Sequence, residues 1–91
     1  MTAPLPDLVL YGRPGCGLCD ETRVLLHALI GERATAGRPT PTLVERDIET
    51  DPALERAFFA SIPVVELGDQ RLELVTSASK LRRLLTDVLD A

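Results

Sequence analysis

The chain has 91 residues and a formal net charge of −4, with 45% hydrophobic residues but only one tyrosine, two phenylalanines and no tryptophan. That length supports one domain over residues 1–91, with a single small core built from Leu, Val, Ile and Ala. The acidic balance, with Arg82-Arg83 its only basic cluster, excludes charge-driven binding to nucleic acid or a membrane surface, and no apolar run is long enough to cross a bilayer.

Residues 1–6 hold two prolines and no periodicity, which reads as a loose lead-in. They lack a basic segment followed by an apolar one, so a cytoplasmic location is expected, where thiols are kept reduced. Leu8 to Tyr11 is a short continuous apolar run punctuated by Gly12 and Pro14, the pattern of a strand buried on both faces. Leu18, Thr22, Leu25, Leu26, Leu29 and Ile30 recur at spacings of three and four and predict a helix from about Gly17 to Glu32, with Gly31 and Gly37 as places to end it. Pro41 to Ile48 reads as a second strand, and a strand-helix-strand crossover of this length implies parallel neighbours.

Asp51-Pro52 is a helix start, Asp capping free N–H groups and Pro standing where none is needed. The helix is expected to reach about Ala60 and to bury Leu54, Ala57 and Phe58. Val64, Val65 and Leu67 form a third strand, Gly68-Asp69-Gln70 turns the chain, and Arg71 to Val75 alternates like the edge of an antiparallel hairpin. Thr76 or Ser77 caps a last helix striped by Leu81, Leu84, Leu85, Val88 and Leu89. The expected class is α/β, in the order βαβ-α-ββ-α, with a four-stranded mixed sheet flanked by three helices.

Both cysteines lie in Arg13-Pro14-Gly15-Cys16-Gly17-Leu18-Cys19, where the first helix opens. A thiol attacks a disulfide only as thiolate. The unpaired first-turn N–H groups and Arg13 favour that form at Cys16, while Asp20 and Glu21 oppose it. Cys16 is therefore read as the nucleophile, and Cys19, one turn on and facing the sheet, as the more buried resolving thiol. Two other readings of the spacing stand beside this one. A zinc site needs four ligands, and His27, off the apolar stripe, is the one further soft candidate, so no metal is expected. A structural disulfide would close too short a loop to stabilise much.

The segment Val9-Leu10-Tyr11-Gly12-Arg13-Pro14-Gly15-Cys16-Gly17-Leu18-Cys19 resembles the active-site segment of glutaredoxins and their thioredoxin-fold relatives, and Ser61-Ile62-Pro63-Val64-Val65 resembles that family's Thr-Val-Pro segment. The resemblance implies a thioredoxin-like, glutaredoxin-type fold and a cis Ile62-Pro63 bond lying against the cysteines. It further implies an Ile62 backbone that pairs with a thiol substrate, and an Arg13 that meets a carboxylate of glutathione. The chain departs from the family by carrying Glu73-Leu74 where paired glycines are usual, and Ser77 in place of the acid that touches the glutathione amine. Gly17-Leu18 likewise replaces the usual Pro-Tyr or Gly-Pro between the cysteines.

These features together predict a small thiol-disulfide oxidoreductase that cycles Cys16 and Cys19 and requires no cofactor, with glutathione as a reductant or co-substrate suggested by the resemblance. The expected substrate is a disulfide-bearing protein or small molecule, met by a monomer. The alternative is a glutathione-dependent iron-sulfur cluster carrier using Cys16.

Overall fold

The central strand is β1 (Leu8–Gly12), and every other element is placed by it. The structure is a computed structural model that describes residues 4–90. Of the expected lead-in, residues 1–3 lie outside the described residues, and residues 4–6 carry no regular secondary structure. After β1 come α1 (Gly17–Thr35), β2 (Leu43–Asp47), a single 3-10 turn at Ile48–Thr50, α2 (Pro52–Phe58), β3 (Val64–Leu67), β4 (Gln70–Leu72) and α3 (Ala78–Leu89). The sheet order is β2-β1-β3-β4, with β1 parallel to β2 and antiparallel to β3, and β3 antiparallel to β4. This four-stranded mixed sheet with three helices is a thioredoxin-like α/β fold. No helix among the described residues is long and apolar enough to cross a membrane.

Alternation along the central strands divides the interior. Leu8 and Leu10 of β1 with Val65 and Leu67 of β3 pack against Leu26 and Leu29 of α1 and Leu81, Leu84 and Leu85 of α3, forming the main core. A smaller cluster of Cys19, Ile48, Phe58, Ile62 and Val64 forms next to the cysteine loop, with Tyr11, Cys16 and Leu54 packed against it. Thr22 is fully buried in α1, and its hydroxyl donates to the Val75 carbonyl at 2.7 Å, tying the chain after β4 to the helix that carries the cysteines.

Several boundaries differ from the sequence reading for long-range reasons. Helix α1 runs through Gly31 to Thr35, and its last turn is held by Arg33. The Arg33 side chain is buried, donates to the Pro39 carbonyl at 2.7 Å, and makes a forked ion pair with Asp90 at the end of α3. Gly37 then takes the positive φ of 69° that the exit turn requires. Strand β4 ends at Leu72, short of Val75, because the N–H groups of Leu74 and Val75 turn to the Ser61 and Pro63 carbonyls at 2.8 and 3.2 Å. Helix α2 stops at Phe58, and Ala57 is exposed, since seven residues give room for only a narrow buried stripe of Leu54 and Phe58. Ser77, one of the two residues read as caps, caps α3 by accepting the Lys80 N–H at 3.3 Å.

The clamp between α1 and α3 carries a pH dependence. Hydrogen bonding from Arg33 holds the Asp90 carboxyl below its ordinary value of 3.8, with the charges of Arg33 and Arg38 adding to the effect. A carboxyl depressed on folding contributes stability that is complete above its unfolded value and lost as pH falls through the folded one. Asp90→Asn is therefore expected to lower the urea midpoint at pH 7, and the gap from the parent should close as pH falls below about 4. A gap that stayed constant from pH 7 into the acid range would show that the pair contributes nothing through charge.

Candidate active site

The loop between β1 and α1 turns at Gly15, whose φ is +79°, and delivers Cys16 to the N-cap of α1. Cys16 has extended backbone angles (φ −91°, ψ 102°), and its Sγ accepts the Cys19 N–H at 3.1 Å. A helix mouth with an N–H aimed at sulfur is a setting that favours negative charge there. Cys16 and Cys19 are joined as a disulfide, their Cα atoms 5.2 Å apart. Cys19 is only 1% exposed, whereas Cys16 is partly exposed at the loop tip. The two cysteines are thus placed unequally, Cys16 retaining exposed surface and Cys19 enclosed by the smaller apolar cluster.

Two further features support this geometry. Gly12 lets β1 end directly against the inner cysteine, since a Cβ there would lie 3.1 Å from both Cys19 Cβ and Sγ, tighter than ordinary van der Waals contact. The Asp20 carboxylate, which from the first turn would oppose a thiolate, is occupied by Arg23 at 2.7 Å, and Arg23 also pairs with Glu45 of β2.

The β1–β3 register, Tyr11 opposite Val64, carries the Ile62-Pro63 segment alongside the start of the cysteine loop. The Ile62–Pro63 bond is cis, Pro63 is fully buried, and Ile62 shares the smaller apolar cluster with Cys19. The carbonyls on either side of Ile62 accept from Leu74 and Val75, while the N–H and C=O of Ile62 itself make no backbone hydrogen bond among the described residues. An extended backbone could therefore pair there.

Arg13 is exposed on the loop and makes no ion pair among the described residues. It borders two depressions. One, of about 330 Å³, reaches Cys19 past Asp20, Arg23 and Glu45; the other, of about 680 Å³, is formed with Pro52, Glu55, Arg56 and Phe59 of the α2 region. His27 is exposed on α1, and among the described residues no three or more of His, Cys, Asp and Glu gather where they could hold a metal ion.

Sequence reasoning missed a group that supports the loop from the other face of the sheet. The Tyr11 hydroxyl donates to Glu66 Oε1 at 2.9 Å, and the Tyr11 ring lies 4.8 Å from that of Phe58, over which Arg71 stacks at 5.3 Å. Burial, reinforced by Glu66, raises the Tyr11 hydroxyl above its ordinary value, so it remains a donor at neutral pH. The β1–β3 pairing that joins them is long-range, and the continuous apolar run Leu8 to Tyr11, which reads as buried on both faces, hides that Val9 and Tyr11 are only half-buried while Leu8 and Leu10 are buried. Arg56 and Phe59 were also missed; the Phe58-Phe59 doublet was the available signal, since two adjacent helical positions cannot both face one core.

A family model for the Glutaredoxin-like domain (DUF836) matches residues 7–88. No curated protein matches the chain. Among solved structures, target protein XcR50 from X. campestris superposes in its X-ray form with a TM-score of 0.71 at 28% identity, over 89% of this chain and 97% of that one. Its solution structure gives 0.68 at 28% identity, over 89% and 94% of the two chains. Protein Ne2328 from Nitrosomonas europaea gives 0.60 at 26% identity, over 80% of this chain and 79% of that one. With the match spanning nearly all of the described residues, the chain belongs to the glutaredoxin-like domain family.

Proposed function

We propose that this protein is a thiol-disulfide oxidoreductase in which Cys16 attacks and Cys19 resolves. A glutaredoxin-like domain with a Cys-x-x-Cys pair suggests redox function in general. The observation that carries the specific reading is the asymmetry of the pair: Cys16 at the helix mouth is partly exposed and its sulfur receives a backbone N–H, while Cys19 is buried.

The cycle starts from the dithiol. The Cys16 thiolate attacks one sulfur of a substrate disulfide, forming a mixed disulfide and expelling the other sulfur as a thiolate that takes up a proton. Cys19 then loses its proton and attacks Cys16 Sγ, which closes the Cys16–Cys19 bond and releases the second substrate thiol. Two electrons pass from protein to substrate, and an external dithiol or two equivalents of a monothiol such as glutathione return them. In this reading Arg13 attracts an anionic group of the substrate, and the backbone of Ile62 pairs with the residue that carries its sulfur.

The test is a titration against defined thiol-disulfide buffers together with coupled turnover. The pair is expected to equilibrate within the span of roughly −200 to −270 mV of glutaredoxins and thioredoxin. Turnover with glutathione and glutathione reductase, set against turnover with thioredoxin reductase, identifies the electron donor. A disulfide that resists millimolar dithiothreitol, or alkylation of the reduced protein that is no faster at Cys16 than at Cys19, would overturn the proposal.

A further inference from the structure

Exposed large apolar side chains are few among the described residues, and their distribution is uneven. Of the five, Leu18 (50% exposed), Phe59 (63%) and Leu74 (60%) border the Cys16 end of the sheet. Leu18 stands between the two cysteines, Phe59 shares its depression with Arg13, and Leu74 bonds through its N–H to Ser61, the residue before Ile62. Single exposed leucines are ordinary, but three around one reactive group form a surface suited to an apolar partner.

Leu74 is the most telling of them. It holds φ = +50°, a conformation that disfavours any residue with a Cβ, and it projects an apolar side chain to solvent while doing so. Its neighbour Glu73 is exposed but its carboxylate faces Arg71 at 4.0 Å, and the Ser77 hydroxyl is engaged in capping α3, so this rim holds no unpaired carboxylate for an incoming amine. On the opposite rim, Arg13 and Arg56 outnumber Glu55 and favour an acidic group. Between the rims lies the unpaired Ile62 backbone.

We propose that the site takes a protein disulfide presented on an extended segment, with apolar residues flanking the cysteine and an acidic residue toward Arg13 and Arg56, in preference to glutathione disulfide. The segment pairs with Ile62 as an added strand, and Leu18, Phe59 and Leu74 cover its apolar side chains. This rests on the oxidoreductase reading and names the substrate class for it; the bond exchange is the one already described.

The test measures reaction of the reduced protein in stopped flow with four disulfides: oxidised glutathione, bis(2-hydroxyethyl) disulfide, a short cystine-linked peptide with Leu, Phe and Glu flanks, and one with Ser and Lys flanks. The apolar, acidic peptide is expected to react about tenfold faster than oxidised glutathione and than the Ser/Lys peptide, as one well-covered side chain suffices to do. In the double variant Phe59→Ser, Leu74→Gly, the ratio of the apolar-peptide rate to the bis(2-hydroxyethyl) disulfide rate is expected to fall about tenfold. Both positions are exposed and glycine suits the Leu74 backbone, and circular dichroism checks that the variant is folded. Equal rates for glutathione disulfide and the apolar peptide, or an unchanged ratio in the variant, would overturn the proposal while leaving the oxidoreductase intact. Failure of all four disulfides to react would overturn both.

Discussion

Cys16→Ser is expected to abolish disulfide reduction, by roughly a hundredfold or more, and Cys19→Ser to stall it with substrate bound to Cys16. The two outcomes differ because the two sulfurs are placed differently. Cys16 is the N-cap of α1 and partly exposed, and the Cys19 N–H points at its Sγ. A serine hydroxyl at that position accepts the same hydrogen bond, so the fold persists, but it is not ionised at neutral pH and does not attack sulfur. Cys19 is buried against Gly12 and the apolar cluster, and its place is to displace a product already tethered to Cys16. A single turnover of the Cys19→Ser protein without added thiol should therefore give, by mass spectrometry, one substrate thiol attached per chain. The Cys16→Ser protein should show none. Equal trapping by both variants would mean that either sulfur can be reached from outside, and the assigned roles would not stand.

What could be read from the sequence was what is encoded by contiguous residues. The cysteine loop, its helix start, the Asp51-Pro52 cap and the α3 stripe each need only a few neighbouring positions. The structure matches them closely, including burial of Cys19 relative to Cys16. The departures arise where distant segments compete for backbone groups. Arg71 to Val75 alternates as a strand would, yet the N–H groups of Leu74 and Val75 are claimed by Ser61 and Pro63. Gly31 has open space around it and does not break α1, because the Arg33–Asp90 clamp two residues on rewards continuing the helix. The same limit applies to the site. Arg13, Cys16 and Cys19 lie in one contiguous segment and were visible, and Leu74 stood out through the resemblance, whereas Arg56 and Phe59 join the rim only through the packing of α2.

The buried side chains of α1 make a second strong prediction. They are Cys19, Thr22, Leu26, Leu29 and Arg33, a sequence of spacings of three and four that begins at the inner cysteine and ends at the clamp to α3. Leu26 stands in the middle of this line, fully buried between β1 and α3, while Val24 on the same helix is 68% exposed. Leu26→Ala is expected to cost about 3 kcal/mol, the lost transfer energy of its side chain plus that of the cavity it leaves. In a domain with some 5–15 kcal/mol to lose, that is a shift in midpoint of about 15 °C. Val24→Ala should stay within about 0.5 kcal/mol, since nothing packs on it and alanine is the better helix former. Urea unfolding of the two variants, monitored by circular dichroism, makes the comparison, and equal losses would mean that α1 docks by a different face. The result bears on the chemistry as well. If Leu26 and Leu29 hold the helix down, Cys19 is held beneath Cys16 by the core, and the Leu26→Ala protein, where still folded, should close its disulfide more slowly than its parent.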